Sequence, residues 1–152
     1  MTPAPPAANL ILPYEDGDWR HVAEHIRPAD RAELTALGRM PEQALLDGVR
    51  LSQLCFTLWM EGNPAAVFGA TPQGAIWLLG TPAIARHSAW FLRISPGWVN
   101  VLHSCSPVLW NWVDARNTVH IRWLRWLGFQ FHEPVAAGVN GEMFIPFHKA
   151  KP

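Results

Sequence analysis

The stretch Asn111-Trp-Val-Asp-Ala-Arg-Asn-Thr-Val-His-Ile-Arg-Trp-Leu-Arg-Trp-Leu-Gly-Phe129 changes its hydrophobic period in the middle, and that change decides the fold. Up to residue 115 it continues a strand from Val108, with Trp110 and Trp112 on one face and Asn111 and Val113 on the other. Asn117 then caps a helix over residues 118–127. At about 100° per residue that helix sets Val119, Ile121, Trp123, Leu124 and Leu127 on one apolar arc, with His120 inside it and Trp126 at its flank. Thr118, Arg122 and Arg125 share the opposite sector. Gly128 supplies a left-handed C-terminal cap, and Phe129 folds back as its hydrophobic contact.

Moving towards the amino terminus, Pro107 ends a helical stretch. Ser95-Pro96 reads as an N-cap with a first-position proline, dividing that stretch into helices over 83–94 and 97–103. Residues 75–79, between Gly74 and Gly80, form a short continuous apolar run, as expected of a central strand covered on both faces. Two strands, 55–60 and 65–70, join through Glu61-Gly62-Asn63-Pro64. Earlier still, helices are expected over 30–37 and 42–54, the second opened by Pro41, with Gly48 a local weakness. Residues 1–13 hold four of the fourteen prolines and read as a flexible leader; residues 14–152 read as one domain. Towards the carboxyl end, residues 139–147 read as a strand, with Phe129-Gln-Phe131 its hairpin partner and Asn140-Gly141 a turn. Helices alternating with strands give a mixed α/β (α+β) class: one central twisted sheet with helices on both faces.

Composition excludes several roles. Twelve cationic and twelve acidic side chains cancel, so the excess of cations that generic nucleic-acid binding needs is missing. No apolar run reaches the roughly 18 residues of a membrane span. Met1 to Leu10 lacks the cationic region of a secretory signal. The chain is 49% hydrophobic and only 16% charged, which excludes a disordered polar chain. Nine tryptophans in such a chain point to a protein that meets another surface. Trp77, Trp110, Trp112, Trp123 and Trp126 are assigned to the core; Trp19, Trp59, Trp90 and Trp98, nearer element ends, are the candidates for partner contact.

The strand–asparagine–helix–Gly128-Phe129 segment resembles the GNAT superfamily of N-acetyltransferases, and the order of the preceding elements matches that fold. More narrowly, Ile76-Trp-Leu-Leu-Gly-Thr81, Phe91-Leu-Arg93, the 111–117 segment and Arg122-Trp-Leu124 with Gly128-Phe129 resemble the internal virion protein A group of T7-like short-tailed phages. That likeness runs over about residues 20–147. It implies a GNAT-like single domain, acetyl-CoA as possible cofactor, phage virion or host proteins as partners, and a place in the virion or the host cytoplasm. In GNAT enzymes a glycine-rich loop after the central strand binds the cofactor pyrophosphate through amides at a helix start. Here Gly80-Thr-Pro-Ala-Ile-Ala-Arg86 lacks the glycine pattern, and Pro82 removes a donor. Gly80, Thr81 and Arg86 are left to meet a phosphate, with Asn117 lining the cleft. GNAT enzymes often carry a tyrosine general acid seven residues after the asparagine; Leu124 stands there.

Asp114 and His120 are the candidates for handling a proton. For Asp114 the alternative is pairing with Arg116; for His120 it is a hydrogen-bonded core position. Glu61, in its turn, reads as solvent-exposed. No metal spacing accompanies His103, Cys105, His132 or His148, and Cys55 and Cys105 read as inert. Three functions follow: a phage protein of virion assembly or early infection with the fold reused as a scaffold, an active acetyl-CoA-dependent N-acetyltransferase acting on a host protein or metabolite, and a non-catalytic host-protein binder.

Overall fold

A computed structural model describes residues 8–152. The elements are β1 (Leu10–Pro13), α1 (Trp19–Glu24), α2 (Pro28–Ala36), α3 (Pro41–Leu51), β2 (Leu54–Met60), β3 (Asn63–Ala70), β4 (Ile76–Gly80), α4 (Ala83–Arg86), α5 (Ser88–Leu102), β5 (Val108–Asp114), α6 (Thr118–Trp126), β6 (Gln130–Phe131), β7 (Val135–Ala136) and β8 (Met143–Ala150). Strands β1-β2-β3-β4 form one antiparallel sheet; β5-β8-β6, with β7 also on β8, form a second. A single parallel bridge, Ala75 to Trp110, joins them.

Strand alternation sorts the sheet's side chains onto two faces. Val67 and Leu79, with Cys55 and Trp77, pack under α1–α3 against Val22, Ile26, Leu34, Ala44 and Leu45. Phe68 and Ala70, with Phe56, Ile76 and Leu78, pack under α5 and α6 against Val99, Leu102 and Leu124. Helices therefore cover both faces of the first sheet. The hairpin between β2 and β3 turns on Glu61 and Gly62, both at positive φ, and Asn63 and Pro64 already belong to β3. Two positive φ values in a two-residue loop match the right-handed twist of the flanking strands. α6 ends as expected: Gly128 N–H donates to Arg125, Phe129 N–H donates to Leu124, and Gly128 has φ +95°.

Several expectations are corrected. The expected leader stops short of residue 13, because Leu10–Pro13 pair with β2; residues 1–7 lie outside the described residues. Ser95-Pro96 does not start a helix: α5 runs through it, and the break falls at His87. The Ser95 hydroxyl donates back to the Phe91 carbonyl and accepts the Trp123 indole N–H, so it ties α5 to α6 instead of capping. The second expected helix stops at Leu51, and Leu54 enters β2. The last strand begins at Met143, four residues later than expected. Gly48 serves packing: the Trp77 ring lies against it, where a Cβ would overlap the ring.

The tryptophan assignment reverses in part. Trp110, Trp112 and Trp126 are exposed by 40%, 43% and 57%. Trp19, Trp59, Trp90 and Trp98 are instead half-buried, Trp98 edge-on to both Phe56 and Phe68. On α6, Val119 is also exposed, which narrows the buried stripe to Leu124 with Ile121, Trp123 and Leu127. Asp114, expected beside Trp110 and Trp112, is buried where the strand ends.

The junction of the two sheets hangs on Gly74. Its carbonyl accepts the Trp110 N–H at 2.9 Å, its φ is +89°, and a Cβ would run into the Val108 carbonyl. Gly74→Ala is expected to cost about 2 kcal/mol or more, through both left-handed strain and the clash. A urea midpoint shift at unchanged slope checks this, and an unchanged midpoint refutes the account.

Candidate functional site

Beyond the Ala75–Trp110 bridge, β4 and β5 diverge, and each presents an unpaired backbone edge to the gap. Such edges need partners when water is excluded. The side chain of Asn111 closes the narrow end, donating to the Ile76 carbonyl and accepting the Trp112 N–H at 2.7 Å. The wide end is closed by α2. Asp30 accepts the Gly80 N–H at 2.9 Å and Glu33 accepts the Asp114 N–H at 2.6 Å, so one helix spans both strand ends. The two carboxylates are three positions apart, about one turn, which puts them on the same side of α2. Arg27 secures the arrangement: its N–H donates to the Gly80 carbonyl, and its guanidinium contacts Asp30 at 3.0 Å and Asn117 at 3.4 Å.

The segment expected to hold a phosphate is occupied from within. Gly80 donates to Asp30, and Thr81 donates to the Ala65 carbonyl, continuing the β3–β4 ladder one residue beyond Ala66–Gly80. Pro82 has no N–H. Ala83 donates to the Thr81 hydroxyl, Ile84 to the Thr81 carbonyl and Ala85 to the Pro82 carbonyl. Arg86 turns away to make a two-pronged ion pair with Glu61, at 2.9 and 3.1 Å, which His87 joins. Glu61 is solvent-exposed, as expected, and is held there by two neighbours. Asn117 stands at the start of α6, but its side chain does not cap the helix; it faces Arg27 and His120. Gly80, Thr81, Arg86 and Asn117 are therefore not assembled into an anion cradle, which would require free amides at a helix start.

The two proton-handling candidates also part ways. Asp114 is gripped by the Arg116 guanidinium at 2.6 Å, which holds its carboxyl below the ordinary range. His120 lines the gap, and burial together with the Arg27 charge pushes its imidazole down to about 3, so it is neutral at pH 7. Sequence reasoning missed Glu33. Its half-buried carboxyl is raised to about 7, mainly by desolvation and further by the charges of Asp30 and Asp114. The signal available was Asp30 on the face of α2 that carries Leu34, an acidic residue placed where only a partnered one is tolerated. Cys55, raised by burial to about 12, is an inert thiol.

Between these polar closures lies a cavity of about 330 Å³ that threads the gap. Phe91, Trp98, Trp123 and Leu124 line it beneath α5 and α6; Leu34, Trp77 and Trp112 line it on the α2–α3 side. Glu33, Asn111 and His120 are among its few polar walls. Among the described residues no cluster of three His, Cys, Asp or Glu side chains could hold a metal ion, and no helix is long and apolar enough to cross a membrane.

Solved structures share this layout. The chain is similar to the ribosomal-protein-S18-alanine N-acetyltransferase of Escherichia coli, with TM-score 0.69, 15% identity and 94% of each chain covered. It is similar to Ard1 of Thermoplasma volcanium, with TM-score 0.73, 13% identity, and 96% of this chain and 99% of that one covered. It is similar to yncA of Salmonella typhimurium, a putative acetyltransferase solved with its cofactor acetyl-CoA, with TM-score 0.70, 14% identity, and 96% and 95% covered. No protein-family model matches the chain, and no curated protein does. The chain has the GNAT acetyltransferase fold, mixed α/β with antiparallel sheets and covering helices.

Glu33 gives the site a pH signature. A carboxyl at about 7 against its ordinary 4.5 is harder to ionise in the folded chain, at a cost of at most about 3 kcal/mol. Stability from this group is full below pH 4.5 and is lost as pH rises through 7. Glu33→Gln keeps an acceptor for the Asp114 amide without the charge, so it is expected to be more stable than the parent at pH 8 by about 1–3 kcal/mol and equal at pH 4.5. Urea unfolding across that range checks this; a gain independent of pH refutes it.

Proposed function

We propose that this chain is a non-catalytic protein on an acetyltransferase scaffold, acting through protein contacts in virion assembly or early infection by a short-tailed phage. The observation that carries the reading is the internal use of the Gly80–Ala85 backbone amides, five donors satisfied within the fold and a sixth missing at Pro82. A pyrophosphate would have to displace Asp30 and the Ala65 carbonyl, and Arg86 would have to leave Glu61. The residues present do not fit the phosphates of acetyl-CoA. Leu124, buried in the core, has no proton to donate where GNAT enzymes often carry a tyrosine. The phage assignment is supported by the short blocks of sequence that resemble the internal virion proteins. The protein-contact assignment is supported by Trp110 and Trp112, exposed together on β5, since aromatic side chains commonly anchor interfaces.

Calorimetric titration with acetyl-CoA is expected to give no heat up to millimolar cofactor; micromolar binding overturns the reading in favour of an active N-acetyltransferase. Mass spectrometry of purified particles is expected to find the protein. Trp110→Ala is expected to lower its incorporation about tenfold while leaving the melting temperature within a few degrees. Absence from particles, with a free monomer in lysate, removes the virion role.

A further inference from the structure

We infer that the cavity between β4 and β5 is a binding site for an uncharged, mainly hydrocarbon molecule with one hydroxyl end. The inference rests on the reading above, in that a closed phosphate site leaves this cavity without its cofactor.

The first argument is volume and lining. Protein interiors pack as tightly as organic crystals, and an apolar void is costly because its walls lose contacts on one side. A cavity of about 330 Å³ walled by Leu78, Phe91, Trp98, Leu102, Trp123 and Phe147 is far larger than packing defects ordinarily are. Water gains little there, since it needs several polar partners. At about 30 Å³ per small group, the share a water molecule takes in the liquid, the space holds on the order of ten such groups. That is the size of a medium-length hydrocarbon chain. The walls come from rigid elements on both sides of the sheet, as in pre-formed ligand sites.

The second argument is the chemistry of the polar end. Glu33 Oε1 accepts the Asp114 amide, and Oε2 has no protein partner among the described residues. The charged groups around Glu33 are already matched: Arg27 with Asp30 on α2, and Arg116 with Asp114 beyond β5. Among the described residues no unpaired cation lines the cavity to receive an anionic headgroup, and a carboxylate ligand would face three acidic side chains. Of the other titratable walls, Arg39 and Asp47 pair with each other at 3.0 Å, and His120 is neutral, so it offers a hydrogen bond without a charge. A hydroxyl suits this end, because it donates to Glu33 and can accept in return. Covering Glu33 with hydrocarbon favours its protonated form, so such a ligand binds better at low pH.

The test titrates decanol, decanoate and decylamine into the full chain at pH 6 and pH 8, following tryptophan fluorescence and heat. Decanol is expected to saturate one site, at least tenfold tighter than decanoate at pH 8. Its affinity is expected to fall about threefold from pH 6 to pH 8, and to be flat with pH in Glu33→Gln. Ile94→Trp, which fills the cavity from α5, is expected to weaken decanol at least tenfold. No saturable decanol binding, decylamine binding tighter than decanol, or unchanged decanol affinity in Ile94→Trp each overturns the inference. Should Ile94→Trp fail to fold, the parent and Glu33→Gln titrations decide alone. Failure of decanol leaves the non-catalytic reading standing, whereas micromolar acetyl-CoA binding overturns that reading by itself.

Discussion

The structure depends on a constraint at its centre: two neighbouring strands touch at one bridge and then part. β4 and β5 pair only between Ala75 and Trp110, so every residue beyond that point leaves backbone groups facing a gap. A buried amide without a partner costs free energy comparable to a lost hydrogen bond. The molecule meets that cost with its own side chains. Asn111 serves the narrow end, Asp30 and Glu33 serve the wide end, and the apolar space between them is left unfilled. The position of α2, the buried charges and the cavity all follow from how the gap is closed.

The same closure leaves the fold intact. In the GNAT layout a diverging strand pair and a helix after the central strand provide the architecture. Here the architecture is intact, as the TM-scores near 0.7 show. The donors are committed to Asp30, Ala65 and residues of the loop itself, and the tyrosine position holds a core leucine.

Local signals in the chain carried much of this. Asn117, Gly128 and Phe129 announced α6 and its cap because left-handed backbone and a returning hydrophobe leave a local pattern. The β2–β3 hairpin was visible in Glu61-Gly62-Asn63-Pro64, although the positive-φ pair is Glu61-Gly62 and not Gly62 with Asn63. The division of α5 at Ser95-Pro96 was misread, because a serine before a proline has the same local pattern whether it starts a helix or bonds back within one. The exposed tryptophans were misread because strand alternation gives two faces without saying which one is covered. β5 leaves Trp110 and Trp112 40% and 43% exposed. Gly80 and Thr81 were rightly marked as lying where β4 ends, yet the commitment of Gly80 depends on Asp30, fifty positions back. Glu33 was missed because its meaning lies in a contact with Asp114, 81 residues away.

The Asp30 contact has a consequence for any molecule that would compete with it. Asp30 is tethered to the strand it serves, so its carboxylate meets the Gly80 amide at an effective concentration that a freely diffusing ligand does not match. An anion arriving from solution would have to overcome that intramolecular advantage and then leave a displaced carboxylate and the Arg27 guanidinium to find new partners. The chain thus carries its own resident occupant at the Gly80 amide, and the occupant cannot wash out.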